Sequence, residues 1–150
     1  MAIKPVSSGF LAVNGIRLWH EVYGEGAPLV LLPGGLMTIP EMMTLAEPLA
    51  RRRKVVALEL QGHGRSPDSE RPLSLATLGD DVATVVDALR LRQVDIVGYS
   101  FGADAGLRAA IQHPGKVRRM VVISTGFAKR GWYPEAQLGM ASVGAGLAEV

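Results

Sequence analysis

The sequence predicts an α/β fold with a mostly parallel sheet, and three observations support this prediction. Short apolar runs such as residues 28–32 and 94–97 do not alternate with polar residues, which is typical of strands buried on both faces. Segments with helical spacing of apolar residues lie between these runs. These segments are roughly 10–15 residues long, the length of helical connections between parallel strands.

The amino-terminal segment predicts an antiparallel hairpin. Residues 10–13 and 16–23 alternate apolar and polar side chains around the pair Asn14-Gly15. An Asn-Gly pair between two alternating segments is the strongest short sequence signal for a hairpin. The hairpin therefore opens the sheet, and residues 28–32 form the first of the parallel strands.

The remaining elements alternate between helix and strand. Thr38 and Glu41 have the spacing of a capping box, so we expect a helix to follow them, kinked or shortened by Pro48. Ser74 is expected to cap a second helix. Further strands are expected at 54–60, 94–97 and 117–124, and a third helix at 101–113.

Composition excludes several function classes. The net charge of +2, from 16 Lys and Arg against 14 Asp and Glu, gives no basic field for nucleic acid. The absence of cysteine excludes disulfides, thiolate metal sites and a cysteine nucleophile. No phosphate-binding glycine motif occurs, and no apolar run approaches the ~18–20 residues of a spanning helix. We expect a cytoplasmic protein that binds neither nucleic acid nor membrane and needs no metal or cofactor.

A Gly-Tyr-Ser-Phe-Gly segment centred on Ser100 carries the chemistry. It follows the strand at 94–97 directly and opens the helix at 101–113, and such a sharp turn lifts a hydroxyl above the sheet edge. Gly98 and Gly102 leave room where a Cβ would collide with backbone. The pattern predicts that Ser100 is a nucleophile; the alternative is a polar helix cap.

Three segments in order make the sequence similar to the α/β-hydrolase superfamily over nearly the whole chain. Residues 31–35 (Leu-Leu-Pro-Gly-Gly) resemble the oxyanion loop, 62–66 (Gly-His-Gly-Arg-Ser) the loop after the next strand, and 98–102 the nucleophile elbow. Pro33 departs from the pattern, because histidine is commonest there. The resemblance implies the α/β-hydrolase fold, with its C-terminal strands missing from this chain.

The resemblance also implies a serine hydrolase that cleaves small carboxylic esters or lactones through an acyl-Ser100 intermediate. Amidase, thioesterase, C–C hydrolase and cofactor-free haloperoxidase-like activities stay open within the serine branch of the family. The backbone N–H groups of Phe101 and Gly35 would form the oxyanion hole, with Leu36 as the alternative donor if the loop register shifts by one. Leu36 and Trp132 are expected to line the substrate pocket. The oligomeric state is left open, and a homo-oligomer is compatible with the sequence.

The family's chain order also implies a domain organisation and the place of the missing residues. Residues 1–125 are expected to form the hydrolase core and 126–150 to begin the cap or lid. The order of the catalytic residues is Ser, acid, His, so the acid and histidine are expected after residue 150. Residues 1–150 alone are then expected to be inactive by this route.

Histidines and acids within the chain have other expected roles. His113 ends the helix that Ser100 opens, roughly 20 Å away at the helical rise, so a surface role is expected. His63 is separated from Ser100 by one strand, roughly 10 Å, and is expected to pack its loop, with a catalytic role left open. His20 is expected on a strand face, and Asp104 is not expected to be the catalytic acid. Asp80, Asp81 and Asp87 are expected on a solvated helix face.

The alternative hypothesis, from a different class of function, is a protein that keeps this fold but has no catalytic activity. In that alternative, the chain belongs to a binding or signalling protein whose serine holds a ligand. The absence of any histidine after His113 favours it if the 150 residues are the mature chain. Reaction of the serine with a fluorophosphonate distinguishes the two hypotheses.

Overall fold

One six-stranded sheet organises the protein. A computed structural model describes residues 3–126, 131 and 133–141. Its strands are β1 (Ser7–Val13), β2 (Ile16–Tyr23), β3 (Ala27–Leu32), β4 (Arg53–Leu58), β5 (Val94–Tyr99) and β6 (Val117–Ile123). They lie side by side in the order β1-β2-β4-β3-β5-β6.

The strand directions confirm the fold class predicted from the sequence. β3 pairs in parallel with β4 and β5, and β5 in parallel with β6, whereas β1 and β2 form an antiparallel hairpin at one edge. The hairpin turns at Asn14 and Gly15, whose φ angles of 46° and 84° suit the tight turn that matches strand twist. Parallel strands bring their carboxyl ends to one edge, where β3 and β5 deliver the Gly34–Gly35 loop and Ser100.

Helices connect the parallel strands. A 3₁₀ turn (Ile39–Met42) leads into α1 (Met43–Ala50), and α2 (Leu75–Ala88), α3 (Phe101–Gln112) and α4 (Pro134–Ala141) follow. The predicted capping box is confirmed in part, because the backbone N–H and hydroxyl of Thr38 both donate to Glu41 at 2.7 Å. Ser74 caps α2 by accepting the Thr77 N–H at 3.1 Å. Pro48 lies in the last turn of α1, which ends two residues later.

The core consists of two apolar layers, one on each face of the sheet. Successive strand residues point to opposite faces, so each parallel strand contributes to both layers. One layer packs the sheet against α2 and α3, and the other packs it against α1. Strand residues of the first layer include Val30, Val56 and Ile96, and those of the second include Leu29, Leu31, Val55 and Ala57.

The expectation of a solvated face for Asp81 is wrong. Its side chain is fully buried in α2, where Arg71 contacts it at 2.6 Å and the Asn14 side-chain amide donates to it at 2.8 Å. A buried carboxylate needs such charged and hydrogen-bonding partners. They come from the hairpin turn and a loop, so the helical pattern of α2 alone does not reveal them. Asp80 and Asp87 are exposed, as expected.

Strand β6 is the edge strand of the described sheet. It pairs with β5 on one side, and its Val121 and Val122 are 53% and 46% exposed. Helix α4 lies within the segment predicted to begin the cap, an assignment that stays a prediction. Trp132 lies outside the described residues. Among the helices that the structure describes, none is long and apolar enough to cross a membrane.

Candidate active site

Ser100 occupies a strained turn between β5 and α3. Its φ of 49° and ψ of −120° place a non-glycine residue in a sparsely populated backbone region. Surrounding hydrogen bonds hold this conformation: the Ser100 N–H donates to the Ile123 carbonyl at 2.8 Å, and the Ser100 carbonyl accepts from Ala103 at 2.8 Å. Strain of this kind is found at functional sites, where the neighbouring structure enforces it.

Two glycines make the turn possible. A Cβ on Gly98 would lie 2.5 Å from the Ala103 Cα, and a Cβ on Gly102 would collide with the carbonyls of Pro33 and Leu32. Both neighbours are backbone, which cannot move aside as a flexible side chain does. Both glycines therefore lie where a Cβ would collide with backbone, as the sequence pattern predicts, and through Gly102 the turn packs directly against the end of β3.

The loop after β3 lies against the residue that follows Ser100. A Cβ built on Gly35 would be 3.7 Å from the Phe101 Cβ. Within residues 3–126, neither the Gly35 N–H nor the Phe101 N–H donates to a main-chain carbonyl. Leu36 has a φ of 61° and is 96% exposed. The structure therefore brings together two of the residues proposed for the oxyanion hole and places Leu36 on the surface beside them.

The histidines each make a hydrogen bond away from Ser100. His63 Nδ1 lies 2.9 Å from the Gln61 carbonyl, and its ring stacks on that of Phe101, with centroids 5.7 Å apart. His113 bonds Asp80 at 2.8 Å at the far end of α3, and His20 is buried against the Gly9 carbonyl at 2.8 Å. His63 therefore packs against Phe101, the residue that follows Ser100.

Asp104 lies one turn into α3 and has a local partner. The Thr125 hydroxyl donates to its carboxylate at 2.6 Å. Thr125 follows β6, so this bond joins α3 to the end of the edge strand. The bond gives Asp104 a structural role, in line with the expectation that it is not the catalytic acid.

Glu59 is a buried acid that the sequence analysis does not single out. It follows β4 with 1% exposure, and its carboxylate accepts the Arg65 N–H at 2.6 Å and the Ile39 N–H at 3.2 Å. An acid directly after an apolar strand, before a glycine-rich loop, is the signal that could have identified it. Ser66 closes the same loop, with its hydroxyl donating to the Glu59 carbonyl at 2.6 Å.

A second buried acid lies beside this loop. Glu21 accepts a hydrogen bond from the Trp19 indole at 3.1 Å and from the Tyr23 hydroxyl, and it pairs with Arg65 at 3.1 Å. Burial, followed by the hydrogen bond to Glu21, raises the pKa of Tyr23 above its ordinary value. Arg65 therefore faces two carboxylates, Glu21 and Glu59. Among the described residues, no group of three or more acids and histidines could hold a metal ion.

Several proteins of similar sequence are named as hydrolases. The 2-hydroxymuconate semialdehyde hydrolase of Pseudomonas sp. strain CF600 is 35% identical over 118 residues, which cover 74% of this chain and 41% of that protein. Serine hydrolase BPHL of Mus musculus is 32% identical over 126 residues, covering 78% and 42%. The chain thus spans 41% and 42% of the length of these two relatives.

Solved structures share the fold. Est816, described as an N-acyl homoserine lactone degrading enzyme, matches with a TM-score of 0.79 at 27% identity, covering 89% of this chain and 52% of that chain. Carboxylesterase CesB of Bacillus subtilis has a TM-score of 0.83 at 21% identity, covering 93% and 50%. A family model described as alpha/beta hydrolase fold matches residues 27–140. This chain belongs to the α/β-hydrolase fold family.

Proposed function

We propose that the protein containing this chain is a serine hydrolase that cleaves carboxylic ester or lactone bonds through an acyl-Ser100 intermediate. The observation that carries the proposal is the backbone of Ser100, held in a strained conformation between β5 and α3 by flanking glycines. A structural helix cap needs no such strain, since serine caps helices from an ordinary extended conformation. Ser74 is an example, with φ −137° and ψ 154°.

The oxyanion hole is assigned to the backbone N–H groups of Gly35 and Phe101. Attack of the Ser100 Oγ on a carbonyl carbon moves charge to the carbonyl oxygen, which needs donors already in place. The close approach of Gly35 to Phe101 supports this pair. Leu36, the next residue of the loop, is the alternative donor.

The reaction has two steps, acylation of Ser100 and hydrolysis of the acyl-Ser100. Each step needs a base that takes up a proton and then donates it as an acid. The Oγ proton passes to the base as the bond to carbon forms, and the departing alcohol oxygen takes that proton as its bond to carbon breaks. Water then attacks the acyl-Ser100 with the same proton transfers and releases the carboxylic acid. We assign the base and its acid partner to residues after 150, because the family order of catalytic residues is Ser, acid, His, and His113, which follows Ser100 in the chain, bonds Asp80 at the far end of α3.

Substrate contacts are proposed on the exposed side of the Gly35 loop. Leu36 offers an almost fully exposed apolar side chain next to the proposed oxyanion hole, where an acyl group would lie. Trp132 is proposed to contribute from the segment 126–150, which we assign to the beginning of the cap. An apolar lining would favour small substrates with a hydrocarbon acyl part.

The names of the relatives support this choice of chemistry. Serine hydrolase BPHL supports a serine nucleophile, and the lactone-degrading Est816 supports cleavage of a cyclic ester. A serine at the elbow also fits acyl transfer, since its hydroxyl forms an ester intermediate that water can hydrolyse. The substrate is therefore proposed as a class of bond rather than as one compound.

Labelling with a fluorophosphonate probe, together with hydrolysis of a p-nitrophenyl ester, tests the proposal on the full-length protein. Ser100→Ala should abolish both and leave the melting temperature close to that of the wild type, because the turn tolerates a smaller side chain. Ser124→Ala is the matched control: Ser124 is an exposed serine that, like Ser100, has a positive φ, 56°, directly after the neighbouring strand. Retained hydrolysis in Ser100→Ala would refute the assignment.

A non-catalytic protein of the same fold is the second candidate. The observation that favours it is that the three histidines of the chain hydrogen-bond groups other than Ser100. In that case the wild-type protein would neither react with the fluorophosphonate nor hydrolyse the ester. The same experiment therefore separates the two functions.

A further inference from the structure

We propose that Glu59 is a positioning residue whose buried carboxylate holds the loop of Gly35 against the loop of His63. The inference rests on the proposed function, because it concerns the placement of the proposed oxyanion donors. We define the oxyanion loop as residues 33–39 and the histidine loop as residues 61–67. Glu59 would act through these two loops and would not touch the substrate.

The Glu59 carboxylate bonds the backbone of both loops. One oxygen accepts the Ile39 N–H at 3.2 Å, at the end of the oxyanion loop, and the other accepts the Arg65 N–H at 2.6 Å, in the histidine loop. The side chain is 1% exposed, so water does not compete for these bonds. Hydrogen bonds to an ionised acceptor in such surroundings are roughly twice as strong as neutral ones.

Local structure makes room for the carboxylate and balances its charge. Gly64 has a φ of 55°, and a Cβ there would collide with the Glu59 carboxylate. The Arg65 guanidinium lies 3.5 Å from the Glu59 carboxylate and above the Trp19 ring. A buried carboxylate is costly unless it is paired and hydrogen-bonded, and here backbone and side chain meet both needs.

The two loops that Glu59 joins both contact Phe101, the residue after Ser100. In the oxyanion loop, Gly35 approaches the Phe101 Cβ. In the histidine loop, the His63 ring stacks on the Phe101 ring at a centroid distance of 5.7 Å. A change in the distance between the two loops would therefore move Gly35 relative to Phe101. The backbone N–H groups of these two residues are the proposed oxyanion donors.

A comparison with Glu41 shows what is particular to Glu59. Glu41 also accepts a backbone N–H of the oxyanion loop, from Thr38 at 2.7 Å, but its carboxylate is exposed and bonds only this segment. Glu59 alone of these two acids bonds both loops. Misplacing a reacting group by about 1 Å can cost about 10²-fold in rate, so a bridge between the two loops bears directly on the chemistry.

A pair of glycine substitutions in the histidine loop tests whether the Glu59 carboxylate holds the two loops together. Gly64→Ala puts a methyl group into the space of the Glu59 carboxylate. Gly62→Ala is the matched control, because Gly62 also has a positive φ, 73°, but its Cβ would lie 3.8 Å from the nearest atom, in Asp68. Both substitutions place an alanine at a positive φ, and only the first brings its Cβ into the Glu59 carboxylate. Glu59→Gln, which removes the charge, is the second variant.

Two readouts on the full-length protein separate positioning from general loss of stability. Amide hydrogen exchange of peptides covering residues 33–39 reports on the oxyanion loop, with peptides of the β1–β2 hairpin as the internal reference. The rate constant for labelling of Ser100 at saturating fluorophosphonate, kinact, reports on the oxyanion hole, and the probe concentration at half saturation, KI, reports on binding.

We expect faster exchange over residues 33–39 in Gly64→Ala and Glu59→Gln, and a kinact for labelling that is up to about 10²-fold lower, with KI and hairpin exchange unchanged. Gly62→Ala should change neither readout beyond a small loss of stability. Equal exchange over residues 33–39 in the two alanine variants would overturn the inference, as would faster exchange without slower labelling. If the fluorophosphonate labelled Ser100→Ala, the proposed function would be refuted, whereas the comparison of hydrogen exchange among the variants would still hold.

Discussion

The stability of the fold should depend on Asp95 in a pH range set by its ion pairs. Asp95 is 8% exposed at the start of β5. Arg118 donates two hydrogen bonds to its carboxylate at 2.8 and 2.7 Å, and Arg53 donates one at 2.7 Å. The Arg118 hydrogen bonds, and then those of Arg53, lower the pKa of Asp95 from 3.8 to about 2, against the opposing effect of burial.

The lowered pKa translates into a pH-dependent free energy of unfolding. Each pKa unit corresponds to about 1.4 kcal/mol, so Asp95 contributes about 2 kcal/mol wherever it is ionised in both folded and unfolded chains. Because the folded pKa is the lower one, this contribution is complete above about pH 4 and is lost as the pH falls towards 2.

Urea unfolding of the wild type and of Asp95→Asn at several pH values between 2 and 7 measures this contribution. The difference between the two free energies of unfolding should shrink by about 2 kcal/mol as the pH falls from 4 to 2. Asp87→Asn is the control, because the Asp87 side chain is 59% exposed in its pair with Lys116 and an exposed pair contributes at most about 1 kcal/mol. A pH-independent difference for Asp95→Asn would refute the reasoning.

Three further predictions concern the candidate site and the sheet edge. Gly35→Pro should lower kcat for ester hydrolysis by about 10²–10³-fold through loss of one donor; an unchanged kcat would move the donor to Leu36. His63→Ala should lower stability by about 1 kcal/mol through loss of the stack on Phe101 and alter kcat little, and a loss of kcat at an unchanged melting temperature would contradict its packing role. Residues 1–150 expressed alone should lack esterase activity, because the proposed base lies after residue 150, and should self-associate, because the exposed edge of β6 carries Val121 and Val122; a monodisperse monomer in light scattering that hydrolyses the ester would disprove this.

Local patterns in the sequence were sufficient to predict the elements of the fold. The Asn14-Gly15 turn, the Ser74 cap and the apolar strand at 94–97 each depend on neighbours within a few residues, and the structure confirms all three. The elbow around Ser100 was predictable for the same reason, because the glycines that permit its geometry flank it directly.

Features that depend on contacts between distant segments could not be predicted in this way. The burial of Asp81 follows from Arg71 and Asn14, which reach it from a loop and from the hairpin. The role of Glu59 depends on Ile39, 20 residues away in the chain. The stacking of His63 on Phe101 likewise depends on how a loop folds across a neighbouring strand. Helical and strand periodicity carry no information about such pairs.

The ion pair of Asp95 and the bridge of Glu59 lie at opposite ends of the parallel strands. Arg53 begins β4 at the end where Asp95 lies, and Glu59 follows the last residue of the same strand. Arg53 and Glu59 are six residues apart in an extended chain, which separates them by roughly 20 Å at about 3.3 Å per residue. Substitutions that far apart usually have additive effects on stability. Stabilising substitutions at the amino-terminal end of the parallel strands can therefore compensate for destabilising substitutions that change specificity at the carboxyl-terminal end. This leaves the carboxyl-terminal end free to diversify.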